Sequence, residues 1–357
     1  MAVDFCSVME FYKGKRVFVT GHTGFKGTWL MRILKNAGAI VTGYSLEANT
    51  VPNLFEISDA EKGITSVIGD IRDFDSLKAA FDEARPEIVL HLAAQPLVIE
   101  SYKRPVYTYE TNVLGTLYLL ECVRNSDCVK SFLNVTTDKV YFNDEKGGGF
   151  TEDMPLDGYD PYSNSKSCSE LVTHSYRSSF LKEMGIPVST ARAGNVIGGG
   201  DFSENRIVPD CVAASLKGES IIIRNPYSVR PFQHVLEPLF AYLMIAKAQY
   251  ENKELADAYN VGPDEADCVS AGELADIFVR LWGDGAKWEN KHVGGPHEAG
   301  FLRLECKKLK ETFSWQPVWN IETALLKTIE WSRAYAAGND ILKVMDQQIA
   351  EYTAGKA

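Results

Sequence analysis

The first half of the chain alternates short apolar runs with longer segments whose apolar residues recur every three or four positions. Short apolar runs predict buried strands, and the longer period predicts helices that pack on them. The predicted strands cover residues 16–20, 40–45, 66–69, 87–92, 134–141 and 188–192, and the predicted helices lie around 29–34 and over 76–83, 111–123 and 161–181. This alternation predicts an α/β fold with a Rossmann-type, doubly wound parallel sheet.

The regular alternation ends after residue 194. Residues 198–200 and the arginine- and proline-rich stretch 224–231 are predicted to be loops. A helix near 238–250 and a strand near 258–261 are expected to return to the sheet. The rest of the chain is predicted to be mainly helical, including residues 271–282 and 321–335.

The length of the chain, 357 residues, is enough for two domains at about 150 residues each. We predict a Rossmann domain made of residues 14–192 with roughly 236–262. A smaller, mainly helical C-terminal lobe is predicted from residues 193–235 and 263–340.

Charge and cysteine usage narrow the class of protein. A net charge of −11 and a pI near 5.2 argue against binding to nucleic-acid backbones. The seven cysteines are odd in number and form no CxxC pair, so neither a disulfide framework nor a metal site is predicted. The N-terminal segment resembles no signal peptide, and no apolar run of about 18 residues occurs. We therefore expect a cytoplasmic protein with reduced thiols and no membrane span.

A glycine-rich turn joins the first predicted strand to the first predicted helix. It contains Gly21, Gly24 and Gly27 in a GxxGxxG spacing. Glycine at such positions lets the backbone approach a pyrophosphate that rests on the helix N-terminus. An ordinary strand–helix turn is the alternative, but the flanking strand and helix favour dinucleotide binding.

NAD is favoured over NADP as the dinucleotide. No arginine lies between Arg32 and Arg72 to bind a 2′-phosphate, and Glu47 follows the second strand, where an acid could meet the ribose. Asp70, at the end of the third strand, is predicted either to accept from the adenine amino group or to be a turn or helix-capping residue. The candidate cofactor-binding residues are Gly21, Thr23, Gly24, Phe25, Lys26, Gly27, Asp70, Ile71, Leu92, Ala93, Ala94, Gln95, Thr136, Tyr162 and Lys166.

Tyr162 and Lys166 form a YxxxK pattern on a predicted helix. Residues four apart share one helix face, so the lysine ammonium can lie beside the phenol and lower its pKa. The phenolate can then accept the proton of a substrate alcohol while hydride passes to NAD. A solvated helix face is the alternative, but the position of the pattern, one strand after the segment at 134–141, favours catalysis.

Together these motifs resemble the extended short-chain dehydrogenase/reductase family over nearly the whole chain. In that family the Ser or Thr at the end of the fifth strand orients the substrate alcohol, which implies this role for Thr137. The resemblance also implies that Tyr162 is the catalytic base and that Lys166 is its partner.

Asp138 and Lys139, directly after Thr137, resemble the acid and base of the nucleotide-sugar 4,6-dehydratases of that family. Such an enzyme oxidises C4 of a hexose, removes the C5 proton and protonates the leaving 6-hydroxyl, which gives a 4-keto-6-deoxy sugar. The resemblance implies that Asp138 is the acid and Lys139 the base, which must then be neutral. The alternative is a salt-bridged pair at a strand end.

The Asp-Lys pair and the stretches 20–27, 192–201 and 224–238 resemble the members of the family that act on a CDP-hexose. Arginine forks suit phosphate oxygens. The resemblance implies substrate-binding roles for Asn195, Arg206, Arg224, Arg230 and His297. The chain departs from the family at Ile99, where arginine is usual, and at 146–149, where a tryptophan-containing stretch is usual, so the exact nucleotide and hexose stay open.

Three other functions remain as alternatives. An NAD-dependent sugar-nucleotide 4-epimerase would need Thr137, Tyr162 and Lys166 but not the Asp-Lys pair. A dehydratase for another NDP-hexose would need all five residues, and a non-catalytic NAD-binding protein would need none of them. The family resemblance further implies a homodimer or a dimer of dimers, in which helices 111–123 and 161–181 form a four-helix bundle.

Overall fold

The computed structural model describes residues 3–145, 147–291 and 300–355. Its strands are β1 (Arg16–Thr20), β2 (Ile40–Ser45), β3 (Thr65–Ile68), β4 (Ile88–His91), β5 (Ser131–Thr137), β6 (Val188–Ala193), β7 (Asn195–Ile197), β8 (Ile221–Ile223), β9 (Val229–His234), β10 (Ala258–Val261), β11 (Cys268–Ser270) and β12 (Trp288–Asn290). Its α-helices are α1 (Phe5–Phe11), α2 (Phe25–Asn36), α3 (Leu54–Ile57), α4 (Phe74–Ala84), α5 (Val98–Lys103), α6 (Pro105–Tyr109), α7 (Gly115–Arg124), α8 (Pro161–Tyr176), α9 (Ile207–Leu216), α10 (Leu236–Glu251), α11 (Ala271–Trp282), α12 (Lys307–Phe313), α13 (Ile321–Ala336) and α14 (Ile341–Thr353). Single π-helical turns, Glu110–Leu114 and Arg177–Leu181, precede α7 and follow α8.

Within the described residues, a seven-stranded parallel sheet has the order β3-β2-β1-β4-β5-β6-β10. This confirms the predicted Rossmann-type, doubly wound sheet, and β10 is the strand that was expected to return to it. The order changes direction between β1 and β4. Ligands of such sheets bind at the carboxyl ends of the strands at this switch point, so the sheet topology places the site at the turns that follow β1, β4 and β5.

Apolar side chains cover both faces of the sheet. Val17 and Val19 of β1 belong to a core that includes α2 and α10, and Phe18 between them belongs to a second core with α4 and α7. Successive side chains of a strand point to opposite faces. The continuous apolar run of β1 is therefore explained by helices on both sides of the sheet.

The C-terminal lobe contains the expected helices, and α9, α11 and α13 share a core. Its described residues also form two small sheets, β11-β9-β7 and β12-β8. The prediction of a loop over residues 224–231 was wrong from Val229 onward, because β9 begins at that residue. Pro231 is tolerated in this strand because the pairing with β7 starts only at Phe232.

The last helix, α14, packs against the Rossmann domain. Asp346 of α14 forms an ion pair with Arg32 of α2, and Tyr352 donates a hydrogen bond to Glu237 of α10 at 2.8 Å. Among the described residues, no helix has the length and apolar character needed to cross a membrane. All seven cysteines are free thiols.

Candidate active site

The glycine turn forms a tight cradle between β1 and α2. Gly21 has a φ of +80°, which favours glycine, and a Cβ there would lie 2.8 Å from the Ala93 nitrogen. A Cβ on Gly27 would lie 2.0 Å from the Gly21 carbonyl oxygen. The N-cap of α2, Gly24, provides no side-chain cap, and the first turn contains no acidic residue. A helix N-terminus of this kind fits the pyrophosphate of a dinucleotide.

Gly27→Ala is expected to lower the free energy of unfolding by about 3 kcal/mol and to abolish dinucleotide binding, because the turn must move to admit the methyl group. Gly24→Ala is the matched control. A Cβ on Gly24 would have its nearest contact at 3.5 Å, and the φ of Gly24 is −75°. We therefore expect Gly24→Ala to change the free energy of unfolding by no more than about 1 kcal/mol. Urea unfolding and calorimetric titration measure both effects. Equal stabilities for the two variants would contradict this description of the cradle.

The side chains of two predicted cofactor-binding residues form hydrogen bonds with other side chains of the protein. Thr23 Oγ1 and Ser45 Oγ share a hydrogen bond of 2.6 Å, and Gln95 Nε2 donates to Thr108 Oγ1 at 2.9 Å. Contacts of Thr23 and Gln95 with a dinucleotide would therefore run mainly through their backbone atoms.

Asp70 forms an ion pair with Arg72. The Asp70 carboxylate accepts from the Arg72 backbone N–H at 2.9 Å and from its guanidinium at 2.6 Å. The hydrogen bonds from Arg72 hold the pKa of Asp70 below its ordinary value. This is the turn arrangement, one of the two alternatives for Asp70.

The other cofactor candidates line the cradle or pack behind it. Ala93 lies against Gly21. Phe25 and Leu92 pack at the edge of the core that includes α2, and Ile71 is buried in the second core. Ala94 is half-buried beyond the end of β4.

The strand predicted over 134–141 ends earlier, at Thr137. The reason is local, because Thr137 Oγ1 accepts from the Lys139 N–H at 3.4 Å and caps a 3₁₀ turn, Asp138–Val140. The same hydroxyl donates to Asp138 Oδ1 at 3.0 Å. Lys139 Nζ lies 4.0 Å from Asp138 Oδ1. We call residues 137–140 the catalytic turn.

The Asp138 carboxyl is deeply buried and only partly bonded. Its side chain is 1% exposed, and within the described residues Oδ2 has no hydrogen-bond partner. A buried polar atom without a partner costs about 1–3 kcal/mol. This unfavourable burial occurs at the end of β5, where a ligand bound at the switch point of the sheet would lie.

Tyr162 and Lys166 lie on the buried face of α8. The helix begins after Asp160, whose carboxylate accepts from the Ser163 N–H, and Pro161 occupies its first turn. Lys166 Nζ donates to the Val135 carbonyl oxygen at 3.1 Å, and Thr137 is close enough to the Tyr162 phenol to lower its pKa. The structure therefore brings Tyr162 and Lys166 together with the catalytic turn.

Burial and neighbouring cations shift the proton affinities of this group. Burial raises the pKa of Tyr162 to about 12, although the neighbouring Thr137 acts in the opposite direction. Burial, and then the Lys26 ammonium, lower the pKa of Lys166 to about 7. Burial, and then Arg206, lower the pKa of Lys26 to about 8. Cations that repel one another in this way form a site suited to a diphosphate.

One of the predicted substrate arginines lies beside this group, and a second is linked to the residue before it. Arg206 precedes α9, forms an ion pair with Asp201 at 3.0 Å and is close enough to affect the pKa of Tyr162. Arg224 is more exposed and donates to Asn205 Oδ1 at 3.0 Å. The adjacent positions of Asn205 and Arg206 connect Arg224 to the same side of the site.

The other substrate candidates belong to the small sheet or lie elsewhere. Arg230 is buried on β9, where its guanidinium donates to the Val229 carbonyl oxygen at 2.9 Å. Asn195 begins β7 and pairs with Phe232 of β9. His297 lies outside the described residues.

Some charged residues near the site were not predicted. Glu170 is buried on α8, four residues after Lys166, and the helical period could have identified it. Burial raises the pKa of the Cys268 thiol to about 11, a shift that the Arg303 guanidinium opposes and the Asp138 carboxylate adds to. Arg303 is therefore near Cys268, as Asp138 is. No spacing in the sequence identifies it, because the chain reaches this place from a distant segment.

The fold and the site define an extended short-chain dehydrogenase/reductase. The chain belongs to the family described as GDP-mannose 4,6 dehydratase, whose model matches residues 18–328. It is 46% identical over 349 residues to the CDP-glucose 4,6-dehydratase of Salmonella typhimurium, covering 96% of this chain and 97% of that protein. It is 28% identical to a dTDP-glucose 4,6-dehydratase of Xanthomonas campestris pv. campestris, covering 88% of this chain and 92% of that protein. Among solved structures it is similar to a UDP-glucose 4-epimerase of Thermus thermophilus in complex with NAD, with a TM-score of 0.76, 26% identity and coverage of 89% and 98%.

Proposed function

We propose that the protein is an NAD-dependent CDP-glucose 4,6-dehydratase, which converts CDP-D-glucose to CDP-4-keto-6-deoxy-D-glucose with loss of water. The observation that carries the proposal is the buried Oδ2 of Asp138, which has no partner in the part of the chain that the structure describes. Asp138 follows Thr137, and its other oxygen lies 4.0 Å from Lys139 Nζ. Elimination of water needs an acid and a base besides the tyrosine. The 46% identity to the Salmonella typhimurium enzyme supports CDP-glucose as the substrate.

NAD fits the residues of the cradle. Neither Gly21 nor Gly27 has room for a side chain, and the first turn of α2 carries no negative charge. Glu47 is exposed after β2, where it suits the ribose hydroxyls of NAD. Bound NAD supplies the acceptor for the hydrogen that leaves C4 with its electron pair, and the same hydrogen returns to C6 later in the turnover.

The residues on α8 and β5 act first, at C4 of the hexose. Thr137 orients the C4 hydroxyl, and Tyr162 as phenolate accepts its proton. The Lys166 ammonium beside the phenolate stabilises that charge. The Tyr162 phenol has a pKa raised to about 12 by burial, so it needs this cationic surrounding to ionise near neutral pH.

The catalytic turn acts next, at C5 and C6. Once C4 is a ketone, the C5 proton is acidic and passes to neutral Lys139. Asp138, as the carboxylic acid, gives its proton from Oδ2 to the C6 hydroxyl, which leaves as water. Lys139 then returns its proton to C5, while Tyr162 releases the C4 hydroxyl proton to solvent and Asp138 regains a proton from it. The net change is the loss of one water molecule.

The two predicted domains have separate roles in this proposal. Residues 14–192 with roughly 236–262 bind NAD, and residues 193–235 with 263–340 bind the nucleotide of the substrate. Arg206, Arg224 and Arg230, with Asn195 and His297, are assigned to the CDP moiety. Arg303 is a further candidate for the diphosphate, because it and Asp138 both lie near Cys268.

We also infer a homodimer or a dimer of dimers in the cytoplasm. Leu114, Leu171 and Phe180 are exposed on the helices proposed to form a four-helix bundle, and each is at least 42% exposed. Paired helices would cover such side chains. The seven free cysteines are in keeping with a reducing compartment.

A substrate panel tests the activity. The protein is incubated with NAD and with CDP-, dTDP-, GDP- or UDP-glucose, and the products are identified by mass spectrometry. A product one water lighter, formed fastest from CDP-glucose, supports the proposal. An isomer of unchanged mass would instead indicate a 4-epimerase, and NAD binding without any product would indicate a non-catalytic protein.

A further inference from the structure

A buried ion pair lies next to the catalytic turn but takes no part in the proposed chemistry. Glu170 Oε2 of α8 and Arg192 Nη2 of β6 are 3.0 Å apart, and their side chains are 3% and 5% exposed. Removing two charges from water costs several kcal/mol per ion, which their attraction only partly offsets. A buried ion pair is therefore weak evidence of a contribution to the stability of the fold. The hydrogen bonds that Glu170 and Arg192 form with other residues indicate another role.

The first of these hydrogen bonds anchors the start of the catalytic turn. Thr136, the last residue before the turn, donates its hydroxyl to Glu170 Oε1. Successive strand residues point in opposite directions, so the Thr136 and Thr137 hydroxyls serve different partners. Thr136 was a cofactor candidate in the sequence, but its hydroxyl is directed to Glu170.

The second anchor lies at the other end of the turn. Tyr141 follows Val140, and its hydroxyl accepts from Arg192 Nη1 at 2.9 Å and donates to Asn260 Oδ1 at 2.6 Å. The Arg192 guanidinium also lies over the Tyr141 ring, 5.1 Å from its centroid. The side chains of Thr136 and Tyr141, which flank the four residues of the catalytic turn, thus both form hydrogen bonds with the Glu170–Arg192 ion pair.

The same carboxylate belongs to the helix that carries Tyr162 and Lys166. Glu170 follows Lys166 by four residues, and both are buried on the face of α8 that meets β5. Glu170 therefore connects the helix that carries Tyr162 and Lys166 to the catalytic turn that carries Asp138 and Lys139.

We propose that Glu170 and Arg192 are positioning residues that set the distance between the Tyr162–Lys166 pair and the Asp138–Lys139 pair. The inference rests on the proposed dehydratase function. A displacement of about 1 Å in such a site can slow a reaction about a hundredfold. Loosening either anchor is therefore expected to slow turnover while substrate binding changes little.

The matched variants Thr136→Val and Thr190→Val test this proposal. Both remove one buried hydroxyl that donates to Glu170, but Thr190 lies on β6, contacts Oε2 at 2.8 Å and does not adjoin the catalytic turn. Thr136→Val is expected to lower kcat for dehydration about tenfold to a hundredfold, with KM within about twofold. Thr190→Val is expected to lower Tm to a similar extent but to keep kcat within about threefold.

Equal losses of kcat in the two variants, or no loss in either, would overturn the proposal. If Thr136→Val does not fold, Tyr141→Phe tests the second anchor, and an unchanged kcat in that variant overturns the proposal as well. Failure of the proposed function gives a different result, because the unsubstituted protein would then form no dehydrated product from any sugar nucleotide. That outcome overturns both proposals.

Discussion

Asp138→Asn is expected to stop the loss of water while oxidation at C4 continues. An amide of the same shape cannot donate an acidic proton to the C6 hydroxyl, and loss of a general acid costs about 10²–10⁴ in rate. The variant should convert CDP-glucose to the 4-keto hexose and retain reduced cofactor on the protein. Absorbance of the reduced nicotinamide and mass analysis of the sugar nucleotide measure the two steps separately.

Asp153→Asn is the control for this variant, because Asp153 is exposed in the loop that follows the catalytic turn. It should dehydrate CDP-glucose at the rate of the unsubstituted protein. Normal dehydration by Asp138→Asn would remove the acid role from Asp138. The surviving explanation would then be the salt-bridged pair at a strand end, with the C6 hydroxyl protonated from elsewhere.

Tyr162→Phe is expected to abolish the first step, and with it every later one. Without the phenolate the proposed base for the C4 hydroxyl proton is lost, so the rate should fall by about 10²–10⁴ or more. Neither reduced cofactor nor a keto sugar should form. Single-turnover mixing with CDP-glucose and NAD, followed by absorbance, measures this loss.

Tyr12→Phe is a matched control, because Tyr12 is also buried but its hydroxyl donates to the Leu243 carbonyl oxygen in a contact between α1 and α10. This control should lose some stability and keep its activity. Reduced cofactor formed by Tyr162→Phe at the normal rate would show that another residue is the base. The two variants therefore separate the steps before and after the 4-keto hexose, because the Asp138 variant should form this ketone and the Tyr162 variant should not.

The regular part of the fold was largely predictable from residue patterns. The predicted strand at 16–20 coincides with β1, and the predicted strand at 258–261 coincides with β10. Buried parallel strands are continuous apolar runs, so their positions are local properties of the chain. The small sheets escaped prediction because β7, β8, β11 and β12 have three residues each, too few for a period to appear.

The candidate site was predictable in its residue types but less so in its geometry. The spacing of Tyr162 and Lys166 indicated a shared helix face, and the structure places both on the buried face of α8. No pattern could indicate that Thr136 is directed to Glu170, or that Arg230 is buried in a strand. These outcomes depend on strand alternation and on pairing between distant segments.

By itself the sequence determined the order of strands and helices, the glycine turn and the residue types available for proton transfer, because each depends on neighbours within a few positions along the chain. Only the tertiary structure decided which groups meet. It brought α8 against β5 and linked the residues on both sides of the catalytic turn to the Glu170–Arg192 pair. It also buried Asp138 with one oxygen that has no partner among the described residues. Burial and hydrogen-bond partners are set by residues far apart in the chain, and those contacts exist only after the sheet and its helices have packed.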